Sequence, residues 1–72
     1  MNSLKIEIKG STLDIETEIG QLEGLIKIYS IDGKFIEELS CEQSVSLEHL
    51  TKGGYLISVE SEGKTYVKRY YR

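Results

Sequence analysis

Three groups of side chains in the 72-residue chain are of types that can do chemistry: the single histidine, the single cysteine and a pair of adjacent glutamates. His49 has no second histidine or cysteine at ligand spacing, so no zinc site is expected. Cys41 lies beside Glu42, a neighbour that raises rather than lowers a thiol pKa, which disfavours a nucleophile. Glu37 and Glu38 point to opposite faces of a strand and do not converge as acid and base. The sequence predicts no catalytic residue, no metal site, no cofactor and no enzyme.

The glycines and tyrosines are better explained by backbone geometry and packing than by a nucleotide site. Gly53 and Gly54 lack the lysine and hydroxyl residue of a phosphate-binding loop, and they precede a predicted strand. Gly53 is expected where the turning backbone must be free of a Cβ, and Gly54 where the chain bends or approaches a neighbour closely. The alternating apolar pattern around Tyr29, Tyr55 and Tyr66 predicts sheet packing rather than base stacking.

Length and charge limit the classes of protein that the chain can represent. Seventy-two residues predict one domain, residues 1–72, with a thin core, because such a chain buries only roughly 60% of its unfolded surface. The net charge of −3 provides no concentrated basic surface, so no nucleic-acid partner is predicted. No apolar run approaches the roughly 20 residues that span a bilayer, and residues 1–10 lack the apolar region of a signal peptide. We expect no membrane insertion; the chain is either a fragment of an exported protein or a complete protein.

One asymmetry interrupts the acidic average. Lys64, Lys68, Arg69 and Arg72 fall in the last nine residues, where no acidic residue occurs. Such a cluster is typical of the solvated face of a strand, and a binding tail is the second interpretation. Tyr70 and Tyr71 are adjacent and therefore face opposite ways in a strand, so at least one of them is predicted to be exposed.

Alternation of apolar and polar residues predicts the elements that position these side chains. Residues 4–8 and 13–16 alternate with period two, which predicts a hairpin of two half-buried strands around Gly10. Residues 18–23 are predicted to form a loop that crosses between sheets. A shorter strand is expected around Val45 and Leu47.

Two dipeptides predict further hairpins. Asp32-Gly33 lies between apolar segments, and both residues tolerate the positive φ that a tight hairpin turn requires. Glu62-Gly63 repeats this pattern between the segments 55–59 and 65–71. The total is about seven short strands with turn signals every eight to twelve residues, which predicts an all-β sandwich or small barrel.

Three stretches together resemble the C-terminal sorting domain of the type IX secretion system, type A: STLDIET, IKIYSIDGKFIEEL and SVSLEHLTKGGYLISVESEGKTYVKRYYR. They cover roughly residues 11–72 in order and spacing. The positions that match the family pattern are Gly33, Lys34, Leu50, Gly53, Tyr55 and Lys68. The chain departs from the pattern in having no proline, and so no Tyr-Pro-Asn-Pro-like segment, and in ending its last strand with Tyr70, Tyr71 and Arg72.

The resemblance implies an immunoglobulin-like antiparallel β-sandwich at the C-terminal end of a larger exported protein. In the family this domain is a label rather than a catalyst: the outer-membrane translocon recognises it in the periplasm, and a sortase-like peptidase removes it as the cargo is attached to the cell surface. The implied partner is the translocon or another protein. The residues expected to be recognised are Lys68, Arg69, Tyr70, Tyr71 and Arg72.

Strand addition at an unpaired edge is the expected mode of recognition, because backbone hydrogen bonds provide affinity and alternate side chains provide selectivity. Deletion of residues 68–72 is expected to abolish export and, if this segment is exposed, to cost little stability. The alternative is a stand-alone or accessory immunoglobulin-like module for protein binding or adhesion. Fold alone does not separate the two, because function depends on the surface of the sandwich.

Overall fold

A computed structural model describes residues 4–17, 23–61 and 63–72, and these residues form seven β-strands. In chain order the strands are β1 (Leu4–Lys9), β2 (Thr12–Thr17), β3 (Leu25–Ser30), β4 (Phe35–Ser40), β5 (Ser44–Ser46), β6 (Gly54–Ser61) and β7 (Lys64–Tyr71). The predicted all-β class and strand number are confirmed. The predicted crossing loop at 18–23 lies, except for its last residue, outside the described residues.

The strands form two antiparallel sheets. One has the order β1-β2-β5 and the other β4-β3-β6-β7. Every neighbouring pair is antiparallel. This arrangement is that of an immunoglobulin-like sandwich in which the fourth strand has joined the sheet of the third, sixth and seventh. The four strands that end the sheets are therefore β1, β5, β4 and β7.

The hairpin predicted around Gly10 and the hairpin predicted between the segments 55–59 and 65–71 are both present. The β1–β2 pairing runs without interruption to Lys9 opposite Thr12, with Gly10 at φ 59° in the turn. The β6–β7 pairing runs to Ser61 opposite Lys64. A left-handed φ is easily adopted by glycine because glycine has no Cβ.

The hairpin predicted at Asp32-Gly33 is present, but its turn is longer than two residues. The Gly33 amide donates to the Ser30 carbonyl over 2.8 Å, and the Ser30 amide donates to the Lys34 carbonyl over 2.8 Å. Gly33 has φ 94°, and the Ser30 hydroxyl donates to the Asp32 carboxylate. A β-turn with a left-handed residue at its end thus replaces the tight two-residue turn, and a register shift follows in the β3–β4 pairing.

The core lies between the sheets and is built from alternate residues of most strands. The apolar residues predicted to face inward on β2 and β6 are buried, among them Leu13, Ile15, Ile57 and Val59. Each buried aliphatic side chain of this size contributes about 1.5–3 kcal/mol relative to an exposed one. The full set of buried hydrophobic residues is Ile6, Leu13, Ile15, Ile26, Ile28, Cys41, Val45, Leu47, Leu50, Tyr55, Ile57, Val59 and Tyr70.

Candidate functional site in the C-terminal edge strand

His49, Cys41, Glu37 and Glu38 do not assemble into a reactive site. His49 is exposed, and its Nε2 lies 2.5 Å from Oε1 of Glu37, which joins the β5–β6 connection to strand β4. Two open depressions on the described surface contain neither His49 nor Cys41. Over residues 4–17, 23–61 and 63–72, no group of three or more His, Cys, Asp or Glu side chains is placed to hold a metal ion.

Cys41 is a buried thiol with a raised pKa. The pKa is raised, as predicted, but the cause is burial of the thiol rather than the neighbouring Glu42. Burial disfavours the charged thiolate, which is the nucleophilic form. Cys41 therefore behaves as a small apolar core residue.

Strand β7 is an edge strand with a regular set of outward backbone groups. It lies at the end of the four-stranded sheet with β6 as its neighbour. Gly53 and Arg72 exchange two backbone hydrogen bonds, of 3.2 and 2.9 Å, and the pairing continues without a register shift to Ser61 and Lys64. Because bonded and non-bonded pairs alternate in antiparallel sheets, even-numbered residues of β7 bond to β6. The N–H and C=O groups that point away from β6 are those of Thr65, Val67, Arg69 and Tyr71.

The side chains of β7 follow the same alternation. Val67 and Tyr71 are 58% and 65% exposed on the outer face of the sheet. Tyr70 is 7% exposed on the inner face, and its ring centroid lies 6.4 Å from that of Tyr55. The prediction that at least one of Tyr70 and Tyr71 is exposed is confirmed. Tyr66, also on the inner face, is partly buried against the core.

The last residue of the chain joins the two sheets. Arg72 Nη1 donates to the hydroxyl of Ser11, in the β1–β2 turn, over 2.9 Å and contacts the hydroxyl of Tyr70 at 3.4 Å. Of the five residues expected to be recognised, Tyr70 and Arg72 thus make contacts within the domain, whereas Lys68, Arg69 and Tyr71 are exposed. The segment 68–72 is therefore not a free tail.

The connection into β6 explains several positions of the family pattern. The hydroxyl of Tyr55 donates to the carbonyl of Thr51 over 2.6 Å, and Thr51 Oγ1 lies 3.0 Å from the same hydroxyl. A tyrosine at the start of the sixth strand that bonds to the backbone upstream is the tyrosine corner of immunoglobulin-like domains. Leu50 is buried below this connection. The position of Tyr55 directly after a glycine-rich connection was the available signal for this contact.

The two adjacent glycines have different roles at this point. Gly53 has φ 148°, which residues with a Cβ rarely adopt, and it pairs with Arg72. A Cβ on Gly54 would lie 3.1 Å from Cβ of Ile31 and 3.1 Å from the ring of Tyr71. The expectations of backbone freedom at Gly53 and close approach at Gly54 are confirmed. Both glycines therefore help to hold β7 in register.

The two-sheet fold and the regular edge strand β7 place the chain in the class of small immunoglobulin-like sandwich domains. The family model described as the secretion system C-terminal sorting domain matches residues 2–71. The chain belongs to this family. No curated protein and no solved structure matches it significantly.

Membership of the family establishes the function in outline. The domain is a C-terminal sorting signal of the type IX secretion system, and it belongs to proteins that are exported and processed at the cell surface. A sorting signal acts through a protein partner in the secretion machinery. Within the described part of the chain, no helix is long and apolar enough to cross a membrane.

Proposed function

We propose that the secretion translocon reads this sorting signal at strand β7, by adding a strand to the sheet. The observation that carries the proposal is the row of outward N–H and C=O groups at Thr65, Val67, Arg69 and Tyr71, on an edge of eight residues. An added strand satisfies these groups with backbone hydrogen bonds, and its side chains contact those of β7. The domain itself needs no catalytic residue for this role.

The other three edges are less suited to strand addition. Strand β5 has three residues, and β4 pairs with β3 through a register shift. Strand β1 has six residues against the eight of β7. Strand β7 combines the greatest length with uninterrupted register and exposed apolar side chains, so it is the edge best suited to a partner.

The five residues expected to be recognised have two roles in this proposal. Tyr70 and Arg72 hold β7 against the core and the β1–β2 turn. Lys68, Arg69 and Tyr71 are left exposed to contact the translocon. The family-pattern residues Gly53 and Tyr55 support the strand from the neighbouring connection. We place recognition in the periplasm, on a larger precursor from which a sortase-like peptidase removes the domain.

The test is to fuse residues 1–72 to the C-terminus of a periplasmic reporter in a cell with a type IX system and to compare Val67→Pro with Val67→Thr. Proline removes the outward N–H of Val67 without removing a hydrogen bond to β6, whereas threonine keeps it. We expect Val67→Pro to lose export and Val67→Thr to retain it. Circular dichroism and thermal unfolding must show that both variants are folded.

Two outcomes bear on the alternatives. Normal export of folded Val67→Pro would show that β7 is not read by strand addition. Failure of the unsubstituted fusion to be exported would contradict recognition of these residues as a sufficient signal. Deletion of residues 68–72 is a poorer test, because it was expected to cost little stability only if the whole segment was exposed. Tyr70 is buried, and its loss destabilises the core. No observation favours the alternative of a stand-alone binding or adhesion module.

A further inference from the structure

The sandwich has one strongly basic side, formed by β1 and β7 together. These two strands and Arg72 carry six cationic side chains and one carboxylate, a formal charge of +5 in a chain whose total is −3. The cations are Lys5, Lys9, Lys64, Lys68, Arg69 and Arg72. The remainder of the sequence has three cations and eleven carboxylates. The basic residues thus come from both ends of the chain and meet on one side of the fold.

One hydrogen bond and one charge effect place the edge strands β1 and β7 of the two sheets on the same side of the sandwich. Glu7 of β1 has a lowered pKa because of its hydrogen bond to Lys5, then the charge of Lys9 and, more weakly, that of Lys68 on β7. The side chain of Arg72 reaches the β1–β2 turn at Ser11. Glu16, which lies opposite Lys5 in the β1–β2 pairing, also acts on Lys5 through its charge. The six cations outnumber Glu7 and Glu16, so this side of the sandwich keeps an excess of positive charge.

The opposite side of the sandwich carries the opposite charge. It is formed by β4, β5 and the segments that follow them, and His49 contacts Glu37 across it. Residues 35–50 contain four glutamates and no lysine or arginine: Glu37, Glu38, Glu42 and Glu48. The positive charge is therefore localised beside the edge strand that is open for pairing.

From this localisation we propose that the segment added to β7 is an acidic one, with carboxylates on both of its faces, and that Lys5 and Lys9 of β1 contribute to holding it. The inference rests on the proposed strand addition and specifies the chemistry of the partner. Arg69 lies on the outer face of β7, and Lys68 lies on the opposite face, the one that also carries Tyr70. Each face of an added strand therefore meets a cation. Lys5 and Lys9 are 68% and 71% exposed on β1, an edge strand of the other sheet.

Opposite charges on neighbouring strands stabilise a sheet, and like charges destabilise it. A long-range positive field also increases the rate at which an acidic partner associates. A basic or neutral strand would form the same backbone hydrogen bonds without these gains. Charge therefore provides the selectivity that backbone pairing alone lacks.

The binding test uses the whole 72-residue chain and two labelled peptides of eight residues, the length of β7. One peptide alternates a pair of glutamates with a pair of valines, and the other has glutamine in place of glutamate. Fluorescence anisotropy measures binding of each peptide to the unsubstituted chain, to Lys5→Gln/Lys9→Gln and to Lys34→Gln/Lys52→Gln. The last variant is the matched control, since it removes the same charge from exposed lysines outside β1 and β7.

We expect the glutamate peptide to bind more tightly than the glutamine peptide. We expect Lys5→Gln/Lys9→Gln to weaken its binding about tenfold, because each exposed ion pair contributes up to roughly 1 kcal/mol. The matched control should bind within about twofold of the unsubstituted chain. The difference between the two peptides should disappear near 1 M salt, where the screening length is about 3 Å.

The inference would be overturned if the unsubstituted chain bound both peptides equally. It would also be overturned if the two double lysine variants lost binding of the glutamate peptide to the same extent. If Val67→Pro lost binding and Lys5→Gln/Lys9→Gln had no effect, strand addition would stand and the acidic partner would be rejected. Normal binding and export of Val67→Pro would reject strand addition itself. Self-association that depends on Lys5 and Lys9, seen in sedimentation, would assign the basic side to the acidic side of a second copy. Adsorption to anionic phospholipid vesicles that is unaffected by Val67→Pro would assign it to a membrane surface.

Discussion

The hydroxyl of Tyr55 donates a hydrogen bond to the carbonyl oxygen of Thr51, four residues earlier in the chain, over 2.6 Å. This contact closes the connection between β5 and β6. The ring of the same tyrosine packs beside Tyr70 of β7, so one side chain supports both the entry to β6 and the inner face of the edge strand. The hydrogen bond and the ring contact have separate consequences for stability.

Tyr55→Phe tests the hydrogen bond alone, because it retains the ring. We expect the substitution to lower the free energy of unfolding by about 1–2 kcal/mol, since the carbonyl of Thr51 loses a partly buried donor. Urea unfolding followed by circular dichroism measures the change. Tyr71→Phe is the control: its ring is 65% exposed, so the effect should stay within about 0.5 kcal/mol. Equal effects of the two substitutions would contradict a structural role for this bond.

Gly24 is placed where no larger residue fits. Its φ is 142°, and a Cβ would lie 1.9 Å from the carbonyl oxygen of Glu60. We expect Gly24→Ala to lower the free energy of unfolding by more than about 3 kcal/mol, because the backbone must move. This is a large part of the roughly 5–15 kcal/mol free energy of unfolding of a small domain. Gly10→Ala is the comparison, with φ 59° and open space around it, and should cost about 1–2 kcal/mol. Thermal unfolding of both variants decides whether the close approach dominates.

Cys41 should be protected from thiol reagents while the domain is folded. Burial raises its pKa and limits access, so reaction with iodoacetamide at mildly alkaline pH should be at least about tenfold slower than in urea. A raised folded-state pKa also means that the thiol's contribution to stability is complete below its unfolded pKa and is lost as pH rises through its folded pKa. Cys41→Ala should therefore flatten the alkaline decline in stability. Rapid native labelling would show that the thiol is accessible.

Ser30 should control the ionisation of Asp32 in the β3–β4 turn. The hydrogen bond from the Ser30 hydroxyl is the main cause of the lowered pKa of Asp32, so Ser30→Ala should raise that pKa towards its ordinary value. The stability linked to this lowered pKa is present above the unfolded pKa and is lost as pH falls through the folded pKa. Carboxyl chemical shifts followed during an acid titration measure the change. Glu7 serves as the internal reference, because its lowered pKa depends first on Lys5 and should not move.

Local patterns were sufficient to predict the strands and most hairpins. Alternation over residues 4–8 placed the apolar face of β1 inward, and Glu62-Gly63 predicted the hairpin of β6 and β7. The predicted length of the β3–β4 turn was wrong. Ser30 forms hydrogen bonds with Asp32, Gly33 and Lys34, and these bonds hold a turn of more than two residues. Turn residues indicate that a chain reverses, whereas side-chain hydrogen bonds decide how many residues the reversal takes.

Features that depend on sheet order could not be predicted from one sequence. Gly24 meets the backbone of Glu60, a distant residue brought close by the β3–β6 pairing, and nothing beside Gly24 in the chain indicates this. The contribution of Lys5 and Lys9 to the basic side depends on which edge strands of the two sheets lie on the same side of the sandwich, and the alternation along β1 does not indicate this. The basic cluster at the C-terminal end was visible in the sequence, but the size of the basic side was not. Recognition of residues 68–72 stays a prediction.

The alternation along β7 has an evolutionary consequence. Tyr66 and Tyr70 face the core, whereas Val67 and Tyr71 face solvent on the same strand. On the proposed mode of recognition, selection for stability acts on Tyr66 and Tyr70, and selection for the secretion partner acts on the exposed positions Val67, Lys68, Arg69 and Tyr71. Backbone pairing requires little of the exposed positions beyond strand propensity and the absence of proline. Two such domains can therefore diverge widely in this segment, fold alike and serve the same secretion machinery for different cargo proteins.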